Sequence, residues 1–377
     1  MRDKPELPEQ RVVGLMSGTS CDGIDGVLAR LTLRSGQLDW QVLERRHLDY
    51  PVDLRQRLLK ALRVETSDVS LLTQLHAQLG QLNAELASSF HAADLIALAG
   101  QTVYHIPRVD SERDWHTVST LQLGEAAYVV ERTGTPVISD FRQADLAAGG
   151  EGAPLVAFGD WHLYRRPGER RAVHNLGGIS NVTYLPGGED AASVTAFDTG
   201  PGNCLIDDAA AKHLGKPYDE GGQAAARGTV RKEVLESLLG HPYFALAPPK
   251  TTGRETFELR AFAGELTGLS AEDAIATLSA LTAESVARAY REHLSPRGLD
   301  EILLAGGGAA NPTLVKMLRE RLPACVRTFE EHGWDSRDRE ALAFAVMAYF
   351  GYHGLTNTLP QATGARHPVI AGKLSRR

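Results

Sequence analysis

The stretch Gly14-Leu15-Met16-Ser17-Gly18-Thr19-Ser20-Cys21-Asp22-Gly23-Ile24-Asp25 decides how the first part of this chain folds. It lies between the apolar pair Val12-Val13 and a second apolar run from Val27, which predicts a strand, a tight turn and a second strand. Glycines and small hydroxyl residues leave backbone N–H groups accessible, so such a turn is able to cradle phosphate. The same residues favour an ordinary hairpin turn, and this segment alone leaves both interpretations open.

Two carboxylates, Asp22 and Asp25, lie in the same turn. Carboxylate oxygens suit a magnesium ion, and they also accept hydrogen bonds from a substrate hydroxyl. The turn therefore carries groups for phosphate and for a cation.

The composition is typical of a globular enzyme. The chain has 377 residues, 43% of them hydrophobic and 23% charged, which is enough for two domains of roughly 100–200 residues each. A formal net charge of -7 disfavours a nucleic-acid partner. The three cysteines are far apart and show no CxxC spacing, which argues against a zinc site and fits a reducing compartment.

The N-terminus, MRDKPELPEQ, is polar and has no apolar core of a signal peptide. No segment approaches the roughly 18–20 consecutive apolar residues of a membrane span. We therefore expect a cytoplasmic protein with no membrane partner.

Hydrophobic periodicity predicts helices and strands in alternation, which is typical of an α/β fold. Helical patterns occur over 69–86, with Ser67 or Asp68 as N-cap, over 272–294 and over 339–350. Buried strands are indicated at 95–98, ending at Gly100-Gln101-Thr102, at 137–138, at 302–305, and as a hairpin over 173–185.

Two further segments favour a nucleotide site. The strand at 302–305 is followed by Gly306-Gly307-Gly308 and by a helix that begins at Pro312 with Asn311 as N-cap, a suitable seat for a nucleotide. The turn Asp198-Thr199-Gly200-Pro201-Gly202-Asn203 repeats the glycine, hydroxyl and carboxylate pattern of the first turn. Two such turns suggest two related domains that face one cleft.

Taken together, these segments resemble the anhydro-N-acetylmuramic acid kinase family over nearly the whole chain. The resemblance rests on motifs that occur in the same order: GLMSGTSCDGID at 14–25, GQTVYH at 100–105, DFRQADLAAGGEGAPL at 140–155, NLGGISN at 175–181, FDTGPGNCLID at 197–207, KTTGRE at 250–255, LLAGGGAANP at 303–312 and EALAFA at 340–345. Each motif is weak alone, and the ordered set is specific. Ala99 departs from the family pattern, which usually has histidine there, and this puts fine specificity in doubt.

The resemblance implies an α/β fold of two domains of similar topology, the actin-like ATPase and sugar kinase fold, around a central nucleotide cleft. The first domain would span 10–150 and carry the first phosphate loop and the sugar loops. The second would span 151–377 and carry the second phosphate loop and the adenosine loop, with a C-terminal tail able to pack back on the first. The glycine-rich segment around residue 150 would be the hinge.

The resemblance also implies an activity. Such enzymes use ATP and water to convert 1,6-anhydro-N-acetylmuramic acid into N-acetylmuramic acid 6-phosphate and ADP, in the recycling of the bacterial cell wall. It further implies magnesium as cofactor and a homodimer. Two alternatives remain open: a plain sugar or carboxylate kinase of the same superfamily, and a non-enzymatic ATP-binding protein of the actin or chaperone kind.

The family pattern assigns the nucleotide to three glycine-rich segments. The residues are Gly18, Thr19, Ser20, Cys21, Asp22, Gly23, Ile24 and Asp25 in the first, Gly200, Gly202 and Asn203 in the second, and Gly306, Gly307 and Gly308 at the adenosine. Asp22 is the candidate magnesium ligand, acting directly or through water. Related sugar kinases have an aspartate just before the Gly-Thr pair, where this chain has Met16 and Ser17. The sequence therefore leaves open which residues bind the metal ion.

The chemistry needs one carboxylate base to deprotonate water, because the freed oxygen is captured by the γ-phosphoryl group. Asp198 matches the family's catalytic aspartate, and an Asx turn is its structural alternative. Glu340 is a second candidate carboxylate, for the water or the sugar, and its alternative role is to stabilise a helix N-terminus.

Three residues on predicted loops are candidates for binding the sugar: Thr102, Arg142 and Asp145. The Arg142 guanidinium suits the lactyl carboxylate, and a structural salt bridge with Asp140 or Asp145 is the alternative. Lys250 and Arg254 form a basic loop that either faces substrate or is a solvated turn. We expect structural roles for His105 and His174.

Overall fold

Two β-sheets, each with its own helices, organise the chain. The computed structural model describes residues 5–18, 20–188 and 190–377. One unit comprises the chain up to Leu163 together with Arg337–Arg377, and the second comprises Tyr164–Ser336. The domain boundary expected between residues 150 and 151 stays a prediction of domain organisation.

The strands are β1 (Leu7–Ser17), β2 (Gly23–Arg34), β3 (Gln37–Asp49), β4 (Leu95–Ile106), β5 (Ser119–Leu123), β6 (Val137–Ser139), β7 (Arg171–Leu176), β8 (Ile179–Leu185), β9 (Thr195–Pro201), β10 (Glu301–Ala305), β11 (Cys325–Thr328) and β12 (Lys373–Ser375). The α-helices are α1 (Val52–Ala61), α2 (Val69–Ser88), α3 (Ala126–Thr133), α4 (Gln143–Ala147), α5 (Val156–Tyr164), α6 (Cys204–Leu214), α7 (Gln223–Arg227), α8 (Lys232–Leu239), α9 (Ala271–Ala289), α10 (Pro312–Arg319), α11 (Asp338–Tyr352) and α12 (Pro360–Thr363). Short 3₁₀ turns connect several of them. This alternation confirms the α/β class.

The first unit is built on the sheet β12-β6-β4-β1-β2-β3, with β5 paired to β4. The strand β1 is central, antiparallel to β2 and parallel to β4. Val12, Val13 and Leu15 are fully buried, as expected for a strand covered on both faces. The helix α11 packs on β1 so closely that a Cβ on Gly14 would lie 2.0 Å from the carbonyl oxygen of Ala341.

The second unit is built on the sheet β11-β10-β7-β8-β9. The strand β10 runs parallel to β7 and β11, while β7, β8 and β9 form antiparallel pairs. The helix α9 is buried on nearly all sides, and its apolar residues, such as Ile275, Leu278 and Leu281, lie in the core of this unit. Its last turns pass into a π-helix over Tyr290–Leu294, so the helical pattern predicted over 272–294 is confirmed.

Other sequence predictions have mixed outcomes. The helix predicted over 69–86 is α2, and Asp68 is its N-cap because its carboxylate accepts from the Leu71 N–H. The prediction that β4 ends at Gly100-Gln101-Thr102 is wrong, since β4 continues to Ile106 by pairing with β5. No helix among the described residues is long and apolar enough to cross a membrane.

Candidate functional site

The first glycine-rich turn connects β1 to β2, as the sequence predicts. Its Cys21 has a φ of 51°, a left-handed conformation that is uncommon for residues other than glycine. The Cys21 N–H bonds the Gly18 carbonyl, which also accepts from Nε2 of the buried Gln101. Burial raises the pKa of the Cys21 thiol to about 11, so the thiol stays protonated and inert at neutral pH. Thr19 lies outside the described residues.

The two carboxylates of this turn have different surroundings. Asp22 is exposed and accepts a hydrogen bond from the Ser20 hydroxyl at 2.8 Å. Asp25 lies on β2 and accepts from Nδ1 of His47, whose Nε2 also contacts Asp49. Partial burial acts to lower the pKa of His47, but the hydrogen bonds to both aspartates outweigh it and raise that pKa. Asp22 therefore stays accessible, while Asp25 is tied to the β3 surface.

Arg142 lies at the N-terminus of α4, and its Nη1 donates to the Gly152 carbonyl at 2.7 Å. Burial lowers its pKa, while the Glu340 and Asp145 carboxylates act to raise it. Among the described residues Arg142 forms no ion pair within 4.0 Å, because Asp140 pairs with Lys373 instead. The salt-bridge alternative is therefore wrong, and the guanidinium keeps donors for a ligand.

Asp145 is fully buried, and both of its carboxylate oxygens are used within the protein. Oδ2 accepts from the Gly152 N–H at 2.9 Å, and Oδ1 accepts from the Thr363 hydroxyl at 2.7 Å. A Cβ on Gly150 would lie 2.2 Å from Oδ2. Asp145 therefore organises the loop whose Gly152 carbonyl holds Arg142.

Thr102 lies on the extension of β4 that pairs with β5. Its hydroxyl accepts from Nε2 of Gln122, whose Oε1 is buried without a partner in the described part of the chain. Nearby, Nδ1 of His105 contacts the Thr120 hydroxyl at 3.0 Å. Burial, assisted by the Arg142 charge, lowers the pKa of His105 to about 4, so it is neutral at pH 7. These contacts fit the structural role expected of His105.

Glu340 lies in the first turn of α11 and is half-buried. Its carboxylate has no hydrogen bond or ion pair among the residues that the structure describes. The contact between Gly14 and Ala341 fixes this turn on β1. Glu340 is thus close enough to Arg142 to influence its pKa, and it still has free acceptor capacity.

In the second unit, Asp198 projects half-buried from β9. Its Oδ2 accepts from the Thr252 N–H at 2.8 Å, and its own N–H donates to the Lys250 carbonyl at 3.0 Å. Its carbonyl accepts from the Tyr243 hydroxyl at 2.8 Å. These contacts lie outside an Asx turn and fix the direction of the carboxylate.

The second and third glycine-rich segments come together around the hairpin turn Gly177-Gly178 between β7 and β8. The Gly178 carbonyl accepts from the N–H groups of Gly202 and Cys204, and the Gly177 carbonyl accepts from that of Asn203. Only glycine fits at 202, because a Cβ there would lie 2.2 Å from the Gly177 carbonyl oxygen.

On the other side of the same turn lies the triple glycine. A Cβ on Gly306 would lie 2.9 Å from the Leu176 carbonyl carbon, and one on Gly308 would lie 2.8 Å from Oδ1 of Asn203. The predicted residues Gly200, Gly202, Asn203 and Gly306–Gly308 thus form one local cluster within this unit. As predicted, Asn311 caps α10 by accepting from the Leu314 N–H.

Lys250 and Arg254 occupy different environments. Lys250 is 5% exposed, and its ammonium lies 4.9 Å from the centre of the Tyr243 ring. Burial lowers its pKa. Arg254 is exposed and lies beside Gly178. The solvated-turn interpretation is therefore wrong for Lys250.

Comparison with known proteins decides the family. The model of the family described as anhydro-N-acetylmuramic acid kinase matches residues 10–376. A protein of that name from Caldanaerobacter subterraneus subsp. tengcongensis is 41% identical over an alignment of 385 positions, which covers 97% of this chain and 97% of that protein.

The chain belongs to the anhydro-N-acetylmuramic acid kinase family.

A second member of the family, from Bacillus thuringiensis subsp. konkukian, is 38% identical over an alignment of 380 positions, which covers 97% of this chain and 98% of that protein. Among solved structures, the activator of the 2-hydroxyisocaproyl-CoA dehydratase from Clostridium difficile with bound ADPNP has a TM-score of 0.42 and 14% identity, covering 90% of this chain and 94% of that one. That likeness is too weak to support an inference.

The sequence does not predict all of the contacts around the candidate site. The Gly-Gly pair between two strands predicts a turn but not the hydrogen bonds of Gly177 and Gly178 with the Gly202–Cys204 segment. Nor does the sequence predict the contact between Gln122 and Thr102, because nothing around Gln122 separates it from an ordinary strand residue.

Proposed function

We propose that this chain is an ATP-dependent anhydro-N-acetylmuramic acid kinase. It hydrolyses the 1,6-anhydro bond of 1,6-anhydro-N-acetylmuramic acid and phosphorylates O6, giving N-acetylmuramic acid 6-phosphate and ADP, in murein recycling. The observation that carries the proposal is the match to family members over 97% of the chain at 41% and 38% identity.

The proposed reaction needs one general base. Water loses a proton as it attacks C1, and the C1–O6 bond breaks while O6 takes the γ-phosphoryl group, so no separate general acid is needed. We assign the base to Asp198. Its support is the hydrogen bond from the Thr252 N–H, which fixes one carboxylate oxygen and the direction of the group.

The sugar is assigned to side chains of the first unit. Arg142 donates in a fork to the lactyl carboxylate, and its bond to the Gly152 carbonyl sets its direction. Glu340 accepts from the sugar or the water with its free carboxylate, and Thr102 contributes its hydroxyl. Asp145, with both oxygens satisfied, acts by holding the loop that positions Arg142.

We assign the ATP phosphates to the turn Gly18–Asp25 and to Gly200, Gly202 and Asn203, and the adenosine to Gly306–Gly308. The described residues contain no group of three or more His, Cys, Asp or Glu side chains that could hold a metal ion. One exposed carboxylate, Asp22, fits Mg²⁺ that keeps most of its waters and is bound mainly by phosphate oxygens. When bound, Mg²⁺ would neutralise charge on the transferred phosphoryl group. A cytoplasmic location and a homodimer remain part of the proposal.

The test is an ATP-dependent turnover assay with 1,6-anhydro-N-acetylmuramic acid in ¹⁸O-labelled water, read by mass spectrometry. We expect a product with a 6-phosphate and one ¹⁸O at C1, scored before the reducing end exchanges with solvent. ADP release with ordinary amino sugars, but no turnover of the anhydro sugar, would assign the chain to the plain sugar kinases instead.

A further inference from the structure

Arg254 lies outside every role assigned above, yet its guanidinium approaches the glycine cluster of the second unit. A Cβ on Gly178 would lie 2.9 Å from Nε of Arg254 and 3.3 Å from Nη2. The side chain is exposed and forms no ion pair or hydrogen bond among the described residues. An unpaired guanidinium over a turn that has no side chains of its own is free to bind an anion there.

The backbone of the Gly177-Gly178 turn also favours an anion. The carbonyls of Gly177 and Gly178 are used by N–H groups at the start of α6. In the described residues, the N–H groups of Gly177 and Gly178 donate no backbone hydrogen bond. The turn therefore offers donors, and its acceptors are already satisfied, which favours a negatively charged ligand.

The electrostatics of the neighbourhood point the same way. The helix α6 has 11 residues and begins at Cys204, beside the turn, so its partial positive charge adds to that of Arg254. Burial raises the pKa of Asp207, in the first turn of α6, to about 6, and the Arg254 charge opposes that rise. Arg254 thus acts on this helix end without being neutralised by a carboxylate within ion-pair distance.

We propose that Arg254 binds the terminal phosphoryl group of ATP at the Gly177-Gly178 turn and stabilises the charge that develops during transfer. The proposal rests on the function proposed above. Two residues earlier, the Thr252 N–H holds Asp198. The same short loop therefore carries the group that orients the proposed base and the group that contacts the phosphoryl.

The experiment compares nucleotides that differ by the terminal phosphoryl group. The full chain, its Arg254→Gln variant and its Arg254→Lys variant are titrated calorimetrically with Mg²⁺ and either AMPPNP or ADP. Arg260→Gln is the matched control, because Arg260 is exposed in the same region and pairs with Glu258. Turnover of the anhydro sugar is measured in parallel.

For Arg254→Gln we expect AMPPNP affinity to fall roughly tenfold or more, with ADP affinity nearly unchanged, and kcat to fall on the order of 100-fold. Arg254→Lys should have a higher kcat than Arg254→Gln, because lysine keeps the positive charge but lacks the paired N–H donors of the guanidinium. A purely structural role would weaken both nucleotides equally, and that result would overturn the proposal. So would unchanged AMPPNP binding, or an effect confined to KM for the sugar, which would place Arg254 at the lactyl carboxylate.

The two proposals fail in different ways. A wild-type chain that discriminates AMPPNP from ADP through Arg254, but does not turn over the anhydro sugar, would remove the proposed substrate and leave the arginine assignment standing. If wild type turns over the anhydro sugar and Arg254→Gln turns it over equally well, the proposed substrate stands and the arginine assignment falls.

Discussion

The Thr252 N–H donates a hydrogen bond of 2.8 Å to Oδ2 of Asp198. The Asp198 N–H in turn donates to the Lys250 carbonyl. The segment 250–252 therefore contacts Asp198 twice: the Lys250 carbonyl holds its backbone N–H, and the Thr252 N–H holds its carboxylate. A backbone donor cannot rotate away, so the carboxylate direction is set before any ligand binds.

Asp198→Asn should abolish turnover and leave ATP binding largely intact, because the amide keeps the shape and cannot accept a proton from water. We expect kcat below a tenth of wild type, measured with the anhydro sugar, and an ATP dissociation constant within a fewfold of wild type. Asp190→Asn, an exposed aspartate of the same unit, is the control. Retention of more than a tenth of the rate would exclude Asp198 as the base.

Arg142→Lys should raise KM for the anhydro sugar roughly tenfold or more with a smaller change in kcat, since lysine cannot form the bidentate contact with a carboxylate. Steady-state kinetics with sugar and ATP varied separately check this. Arg108→Lys serves as control, because Arg108 is exposed and pairs with Glu151. An unchanged sugar KM would assign Arg142 to the Gly152 contact alone.

The free energy of unfolding should fall as the pH drops from 6.5 to about 4, the range between the pKa values of His105 in the unfolded and the folded chain. The unfolded chain protonates this histidine near pH 6.5, while the folded chain does so only near a pKa of about 4. Between these values the unfolded state binds more protons, so the free energy of unfolding rises with pH there and levels off above. The His105→Asn variant should show a flatter Tm-versus-pH profile over pH 4–6.5 than wild type. An equal slope in both, with the exposed His116→Asn as control, would contradict the lowered pKa.

Gly14→Ala should destabilise the first unit by about 3 kcal/mol or more, because its Cβ would lie 2.0 Å from the Ala341 carbonyl oxygen and backbone has to move. Denaturant unfolding of the full chain measures the change. Gly264→Ala is the matched control, since a Cβ there meets nothing within 4 Å. Equal stability of the two variants would mean that α11 can shift on β1 at little cost.

Local features were predictable from the sequence, and long-range ones were not. The helix capped by Asp68 follows from periodicity and a capping residue within a few positions. The full length of β4 depends on β5, which joins it only after the intervening loop. The burial of Asp145 depends on Thr363, which lies 218 residues away in sequence. The family motif over 140–155 contains Asp145, but no pattern in it distinguishes a buried organiser from a ligand.

The absence of a side chain at Gly14 brings α11 and β1 into direct contact. It allows α11 to rest directly on β1, so the helix turn that carries Glu340 and the strand that leads into the Gly18 turn share one backbone contact. A displacement of β1 therefore displaces this turn of α11 as well, because no side chain lies between them to absorb the movement. A ligand that binds at the first glycine-rich turn should therefore shift Glu340, before any sugar is bound.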